Sequence, residues 1–206
     1  KVRFFGGWSY ADDLCGSSDR VDIGYSEGEP MGSDLRSRPD GAAAPRFLVS
    51  AIKDEGVLDP DTNQLVPGTG TPLQRIQVVK GWVDTHGKTH EKVFDVVGGP
   101  PSEAVDPSTC SATQPGSGEL CTVWTDPDFD PAAPAFYYAR LLEDPTCRWS
   151  TYACQSLGVD PFADDCPVKA LTARPGSNLL DCCPERISPA VQERAWTSPI
   201  WYTPSS

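Results

Sequence analysis

Polar and apolar residues alternate along several short segments of this chain, a period of two that is typical of β-strands with one buried face. The clearest case is the pair LQRIQVVKGWVD (residues 73–84) and KTHEKVFDV (residues 88–96). The two segments are separated by the residues THG, in which Gly87 can adopt the positive φ that a tight turn requires. The pattern therefore predicts a β-hairpin.

The alternation within the first arm of this hairpin also predicts which side chains share a face. One face carries Ile76, Val78 and Lys80, and the opposite face carries Gln77, Val79 and Gly81. Apolar side chains therefore occur on both faces, which fits a sheet with one face buried and the other partly covered.

The remaining elements follow from composition. Five further segments have the β-branched and aromatic content of strands, namely residues 2–8, 46–53, 119–125, 135–143 and 196–204. Residues 146–158 and 188–195 are predicted to form short helices. The connections 9–45, 54–72, 97–118 and 159–188 are predicted to be long loops.

With about seven strands, we predict a mostly β chain that forms a single β-rich domain over residues 1–206. Its architecture is an immunoglobulin-like β-sandwich with long disulfide-bearing loops and one or two short helices.

Eight cysteines indicate disulfide bonds. The chain has no CxxC pair and no zinc-finger spacing of cysteine and histidine, so disulfides in an oxidising compartment are favoured over metal ligation. The candidates are Cys15, Cys110, Cys121, Cys147, Cys154, Cys166, Cys182 and Cys183. Cys110 and Cys121 flank a polar, turn-rich stretch and are the favoured local pair. The adjacent Cys182 and Cys183 are expected to bond different partners, because a ring between neighbours strains the peptide.

The charge of the chain excludes some classes of partner. The formal net charge is −12, from 29 acidic and 17 basic residues. An acidic chain has no general attraction for nucleic acid or for anionic lipid, so no nucleic-acid partner is expected. No membrane span is expected either, because no stretch approaches the roughly 20 apolar residues that cross a bilayer. Together with the predicted disulfides, this indicates a periplasmic or extracellular protein.

Three aspartates alternate in the stretch WTDPDFDP at residues 124–131. Asp126, Asp128 and Asp130 supply the oxygen ligands that hard cations such as Ca²⁺ prefer. The stretch nevertheless lacks the glycine and the final acidic residue of an EF-hand loop. A structural turn is the favoured interpretation, in which the aspartates accept backbone N–H groups, the prolines fix φ and Phe129 anchors the turn in the core. Calcium binding is the first alternative, and a catalytic carboxylate cluster is the second.

His86 and His90 are the second candidate metal site. They are the two histidines of the chain and lie at the predicted hairpin turn. Residues four apart across a tight turn can approach each other, and Asp84 or Glu91 would complete a site for a transition metal, but solvated surface histidines are the favoured interpretation. No Gly-x-Ser-x-Gly nucleophile motif and no lone cysteine occur, so no catalytic residue is predicted.

Five long motifs occur in order along the chain: RIQVVKGWVD, HEKVFDV, WTDPDFDP, AFYYARLLEDPTCRWSTY and ERAWTSPIWYTP. Together they resemble the C-terminal part of a bacterial family named only domain of unknown function 3604. The resemblance extends over about residues 1–204, and the divergence is greatest in the cysteine-bearing loops at about 97–118 and 159–188.

This resemblance implies a relationship to the PHP (polymerase and histidinol phosphatase) metal-dependent hydrolases. In those proteins an N-terminal distorted barrel holds two or three divalent metals that activate a water for attack on an ester or phosphoester. Family members often carry a signal peptide, in agreement with the predicted disulfides. The present chain has no HxH motif, so none of those metal ligands corresponds to one of its positions. It opens on KVRFFGGW, already strand-like and without Met, and we therefore expect a fragment of a longer protein.

The expected function is that of a non-catalytic β-sandwich region of an exported PHP-like metallohydrolase relative. Its partner would be the N-terminal metal domain, in the same protein or in another subunit, on which it packs and whose site it shapes. Divalent metals are expected in that domain, and in this chain at most calcium. The alternative is a stand-alone extracellular binding or structural module, with calcium as its candidate ligand.

Overall fold

The computed structural model describes residues 1–59, 61–101, 104–174, 176 and 178–204. The chain forms two compact units. The first comprises Lys1–Pro100, Gly116–Leu142 and Arg194–Ser206, and the second comprises Pro101–Pro115 and Glu143–Glu193.

The first unit is built from two main antiparallel sheets, with strands numbered in chain order. One sheet has the order β2 (Gly28–Pro30), β1 (Val2–Gly7), β3 (Arg46–Ile52) and β8 (Glu119–Thr125). The other has the order β12 (Arg194–Trp196), β9 (Ala135–Glu143), β6 (Leu73–Val83) and β7 (Thr89–Gly98), and β13 (Ile200–Tyr202) also pairs with β9. A separate small hairpin pairs β4 (Gly56–Leu58) with β5 (Leu65–Pro67).

The two main sheets enclose one hydrophobic core. Phe47 of β3 and Tyr137 of β9 are both fully buried, and their ring centroids are 4.5 Å apart. Phe4, Val78 and Ile200 belong to the same buried cluster. Side chains from both sheets therefore interdigitate, and the predicted mostly β fold with a sandwich arrangement is confirmed.

A short helix and its flanking turn cover the outer face of the first sheet. Helix α1 spans Arg20–Glu27 and lies in the region 9–45 that the sequence predicts as a loop. Gly24 lets the helix lie close to the Phe5 ring of the sheet, because a Cβ at this position would be only 2.8 Å from that ring. A 3₁₀ turn at Leu14–Gly16 adds Leu14 to the same cluster. The loop prediction missed these elements because the segment is too short and too polar to show a helical period.

The outer face of the second sheet carries aromatic side chains. The alternation that buries Tyr137 turns Phe136 and Tyr138 to this face. Trp201 pairs with Phe136 across β13 and β9 and is 48% exposed, and Trp196 of β12 is 56% exposed. This face therefore presents large apolar surface to solvent.

The second unit is small and cross-linked. It contains α2 (Trp149–Ser156), α3 (Cys166–Thr172), a 3₁₀ turn at Leu180–Cys182, and a two-stranded pair of β10 (Thr146–Cys147) with β11 (Ala190–Val191). Its core consists of Val159, Ala170 and four half-cystines. None of the helices among the described residues is long and apolar enough to cross a membrane.

All eight cysteines form disulfides: Cys15–Cys121, Cys110–Cys147, Cys154–Cys182 and Cys166–Cys183. The predicted Cys110–Cys121 pair is wrong. Cys121 lies within β8 and packs beside the cluster of the 3₁₀ turn that contains Cys15, whereas Cys110 belongs to the second unit with Cys147. The expectation that the adjacent Cys182 and Cys183 bond different partners is confirmed.

The strand predictions agree with the structure except at residues 196–204, where the single predicted strand is two strands, Arg194–Trp196 and Ile200–Tyr202, and one helix prediction is wrong. The hairpin is formed by β6 and β7, and Gly87 adopts a φ of 79° at its turn. The helix predicted at 188–195 is wrong, because Ala190–Val191 and Arg194–Trp196 are strands. Pairing with Thr146–Cys147 and with β9 supplies backbone hydrogen bonds that override the weak helical signal.

Candidate functional site

A buried ion pair holds the first aspartate of the acidic turn. Lys80 Nζ lies 2.6 Å from Asp126 Oδ2, and the two side chains are 4% and 0% exposed. The Tyr137 hydroxyl donates to the same Oδ2 over 2.7 Å. Lys80 Nζ also donates to the Asp128 carbonyl oxygen over 2.7 Å. The Asp126 carboxylate is thus neutralised inside the sandwich by a cation of β6.

The carboxylates of Asp128 and Asp130 also have protein partners. Lys92 Nζ lies 2.5 Å from Asp128 Oδ2, while the Asp128 backbone N–H donates to Asp126 Oδ1 over 2.9 Å. The Lys92 hydrogen bond lowers the pKa of Asp128 below its usual value. Asp130 Oδ1 accepts the Ala132 N–H over 2.9 Å. These contacts are those of a side-chain-capped turn between β8 and β9.

Phe129 lies between these aspartates and attaches the turn to neighbouring aromatic rings. Its ring centroid is 5.9 Å from that of Trp8 and 5.0 Å from that of Tyr202, both in edge-on geometry. Burial raises the pKa of Tyr202. The turn is therefore fixed by ion pairs on one side and by aromatic packing on the other.

His90 lies in a different environment from His86. The His90 ring stacks on Trp82 with a centroid separation of 5.1 Å, and its Nε2 lies 2.8 Å from Asp84 Oδ2. This hydrogen bond lowers the pKa of Asp84. His86 is exposed on the turn, where its backbone N–H donates to Asp84 Oδ1 over 2.9 Å. Asp84 therefore organises the hairpin turn and the His90 ring together.

The metal hypotheses stay predictions, for calcium at Asp126, Asp128 and Asp130 and for a transition metal at His86 and His90. Across residues 1–59, 61–101, 104–174, 176 and 178–204, no three histidine, cysteine, aspartate or glutamate side chains are grouped so as to hold a metal ion. The strongest carboxylate candidate is already paired with a lysine.

A cleft of about 530 Å³ opens on the outer face of the second sheet, where β6, β7, β9 and β13 lie side by side. We call it the aromatic cleft. Its lining includes Gly81, Glu91, Phe136, Trp201 and the hydroxyl-bearing Thr89 and Thr203. Ligand sites in proteins are concave and mostly apolar with a few polar groups, and this cleft has that character.

The glycine of β6 makes room for the cleft's aromatic wall. A Cβ at Gly81 would lie 2.3 Å from the Phe136 ring, so the ring rests directly on the backbone of β6. The Phe136 and Trp201 ring centroids are 5.2 Å apart with planes tilted by 50°. Opposite, Glu91 is the cross-strand neighbour of Gly81. The cleft is therefore aromatic on one side and carboxylate-bearing on the other.

The family described as "Protein of unknown function (DUF3604)" has a model that matches residues 1–204. The chain belongs to this family. No curated protein matches it, and no solved structure does. The four disulfides of this DUF3604 family member indicate that it folds outside the reducing cytoplasm.

Sequence reasoning missed the two most informative features of this region. The alternation in β6 does put Lys80 with Ile76 and Val78, and a lysine on a buried face requires a counter-ion. That signal was present, but it did not identify Asp126 as the partner. The aromatic cleft had no sequence signal of its own, because its walls come from β7, β9 and β13, and only the fold brings those strands together.

Proposed function

We propose that this chain is the non-catalytic β-sandwich region of an exported relative of the PHP-type metallohydrolases. It packs on the metal domain of the same protein, or of another subunit, and shapes the entrance to that domain's site. Export delivers the protein to the periplasm or to the extracellular space. The metal domain, and not this chain, holds the divalent ions that activate water for attack on an ester or phosphoester.

The observation that carries the proposal is the pairing of the acidic turn with lysines. A catalytic or metal-binding carboxylate needs an oxygen free to face substrate or metal. Both oxygens of Asp126 are engaged by Lys80, Tyr137 and the Asp128 N–H inside the core. This supports a structural role for the acidic turn.

The packing part of the proposal is supported by exposed apolar side chains on the second sheet. Trp196 is 56% exposed, Trp201 48% and Val93 40%, on β12, β13 and β7. Large exposed apolar groups in one region mark interaction surfaces. We assign Trp196 and Val93 to the contact with the metal domain, and the aromatic cleft to the rim of that domain's site.

The first test is hydrolysis by the 206-residue chain alone. The chain is incubated with Mn²⁺, Zn²⁺ or Mg²⁺ and with p-nitrophenyl phosphate, bis(p-nitrophenyl) phosphate or p-nitrophenyl acetate. The expected rate equals that of the metal-only blank. A chain-dependent rate that disappears in Asp128→Asn would overturn the non-catalytic assignment.

The second test concerns the contact with the metal domain. The product of the complete reading frame is compared with the 206-residue chain by hydrogen exchange. Backbone amides of β12 and β7 near Trp196 and Val93 are expected to gain protection in the longer product. Trp196→Ala is expected to reduce that protection, whereas Tyr152→Ala, at an exposed position of α2, serves as the matched control. Equal protection in both proteins, or a reading frame without a histidine-rich metal domain, would refute the proposal.

A second candidate function is a stand-alone extracellular binding module, with or without calcium. The aromatic cleft favours it, because a ligand-sized concavity serves a binding module without any metal domain. If the chain is such a module, we expect the isolated chain and the complete gene product to show the same hydrogen-exchange pattern.

A further inference from the structure

We propose that the aromatic cleft binds a neutral pyranose sugar at the end of a glycan. This ligand would bind the 206-residue chain by itself, so the inference holds whether or not a metal domain lies beside it. It is carried by the two-sided chemistry of the cleft, which matches a molecule with an apolar face and a polar rim.

The aromatic wall provides a stacking surface. Trp201 is 48% exposed, so much of its indole contacts solvent rather than protein. Its ring is tilted by 50° from that of Phe136, and the two centroids are 5.2 Å apart. Such a pair forms an angled apolar surface, on which the C–H face of a pyranose ring can rest as bases rest on aromatic side chains.

The opposite wall provides hydrogen-bonding groups. Glu91 and Thr89 lie on β7, both exposed, and Thr203 closes the end of the cleft. In the part of the chain that the structure describes, the ion pairs of this sheet engage Asp84, Asp95, Asp126 and Asp128 but not Glu91. A carboxylate accepts two hydroxyl donors side by side, and threonine hydroxyls both donate and accept. These groups suit the hydroxyl rim of a sugar.

The Phe136 ring covers the backbone of β6 at the base of the cleft. Gly81 is buried and has no side chain, and a Cβ there would lie 2.3 Å from that ring. A sugar ring would therefore contact the exposed side of the Phe136–Trp201 pair, with Glu91 at its edge. The position of this aromatic wall thus depends on the glycine.

The negative charge of the chain and of the cleft favours neutral sugars over acidic ones. The chain carries a net charge of −12, and the cleft adds the Glu91 carboxylate beside the Asp84–His90 pair. Sulfated sugars and uronic acids would meet like charge, which disfavours them. An organic cation is the competing ligand, because tryptophan and a carboxylate also attract quaternary ammonium groups.

The experiment screens the 206-residue chain on an array of neutral and acidic glycans and then titrates the best neutral oligosaccharide by calorimetry. Choline is titrated in parallel. We expect binding to neutral glycans only, at least about fivefold weaker binding in Trp201→Ala, and a smaller loss in Glu91→Gln. Trp196→Ala is the matched control, since Trp196 is exposed on the same face, at 56% against 48% for Trp201, but does not line the cleft, and this variant should bind like the wild type.

Three results would overturn the proposal. The first is binding of choline without binding of any neutral glycan, which would assign the cleft to cations. The second is absence of any glycan binding. The third is glycan binding that Trp196→Ala weakens as much as Trp201→Ala does, in variants whose melting temperatures match that of the wild type.

Discussion

Replacement of Lys80 by methionine is expected to destabilise the protein strongly. Methionine keeps the length of the lysine stem and its apolar packing but removes the ammonium, which leaves the fully buried Asp126 carboxylate without its cation. At 2.6 Å and an effective dielectric constant of about 20, the attraction is roughly 6 kcal/mol before desolvation is subtracted. Removing one partner of a buried pair costs about 3–5 kcal/mol. For a chain of this size, that lowers the melting temperature by roughly 6–20 °C.

The matched control is Lys92→Met, the same chemical change at the residue directly opposite on β7. Lys80 and Lys92 are cross-strand neighbours, and Lys92 Nζ lies 2.5 Å from Asp128. The Lys92 and Asp128 side chains are 50% and 46% exposed, so water can replace the lost contact. Lys92→Met is therefore expected to change the melting temperature far less than Lys80→Met.

A double-mutant cycle separates the ion pair from general loss of packing. In Lys80→Met/Asp126→Asn, the neutral amide still accepts the Asp128 N–H, and the Tyr137 hydroxyl can rotate to accept from the amide. We expect this double variant to recover most of the stability lost in Lys80→Met. Urea and thermal unfolding of the oxidised proteins, followed by tryptophan fluorescence, measure the four states of the cycle. A loss below about 1 kcal/mol in Lys80→Met, or a double variant as unstable as the sum of the single ones, would refute the reasoning.

Four further outcomes are expected. Gly81→Ala should cost about 1–3 kcal/mol in urea unfolding, because its Cβ would collide with Phe136 at 2.3 Å, and an unchanged midpoint would contradict the close packing of that ring. Burial, followed by the carboxylate that accepts its hydrogen bond, raises the pKa of Tyr137 above its usual value. Its contribution to stability is therefore full below about pH 10 and is lost as the pH rises further, and Tyr137→Phe should flatten the melting temperature over that range. A non-reducing digest should contain a peptide joining Cys110 to Cys147, and a scrambled partner would contradict the fold of the second unit. Millimolar Ca²⁺ should leave the melting temperature unchanged, and a rise that depends on its concentration would show that the acidic turn binds the ion.

Local patterns predicted the long strands well, because each of these strands carries its own signal. The segments 119–125 and 135–143 are strands with the predicted bounds, and turn residues delimit both of them. The bounds of β6 and β7 are also close to the predicted arms, with Gly87 at the turn between them. Alternation of polar and apolar residues is imposed by the two faces of a sheet, so it is visible without knowledge of the partner strand.

Features that depend on distant pairing escaped prediction. The disulfide partner of Cys121 lies 106 residues away at Cys15, whereas the predicted partner lay much closer in sequence. Ala190 and Val191 lie in the segment 188–195 that was predicted to be helical, and they become strand residues by pairing with β10. In each case a tertiary contact outweighs a local preference of a few tenths of a kcal/mol to about 1 kcal/mol.

The acidic turn illustrates how a distant residue determines the role of a local motif. Three alternate aspartates supply the same oxygen atoms whether they bind calcium, assist catalysis or cap a turn. What distinguishes these roles here is Lys80, 46 residues before Asp126, whose ammonium lies within the sandwich. The lysine neutralises the carboxylate, and the carboxylate in turn makes a lysine tolerable on a buried face. Each of the two residues therefore requires the other. We expect a substitution of Lys80 to change the charge and the contacts of the acidic turn more than a substitution of any exposed residue in the turn.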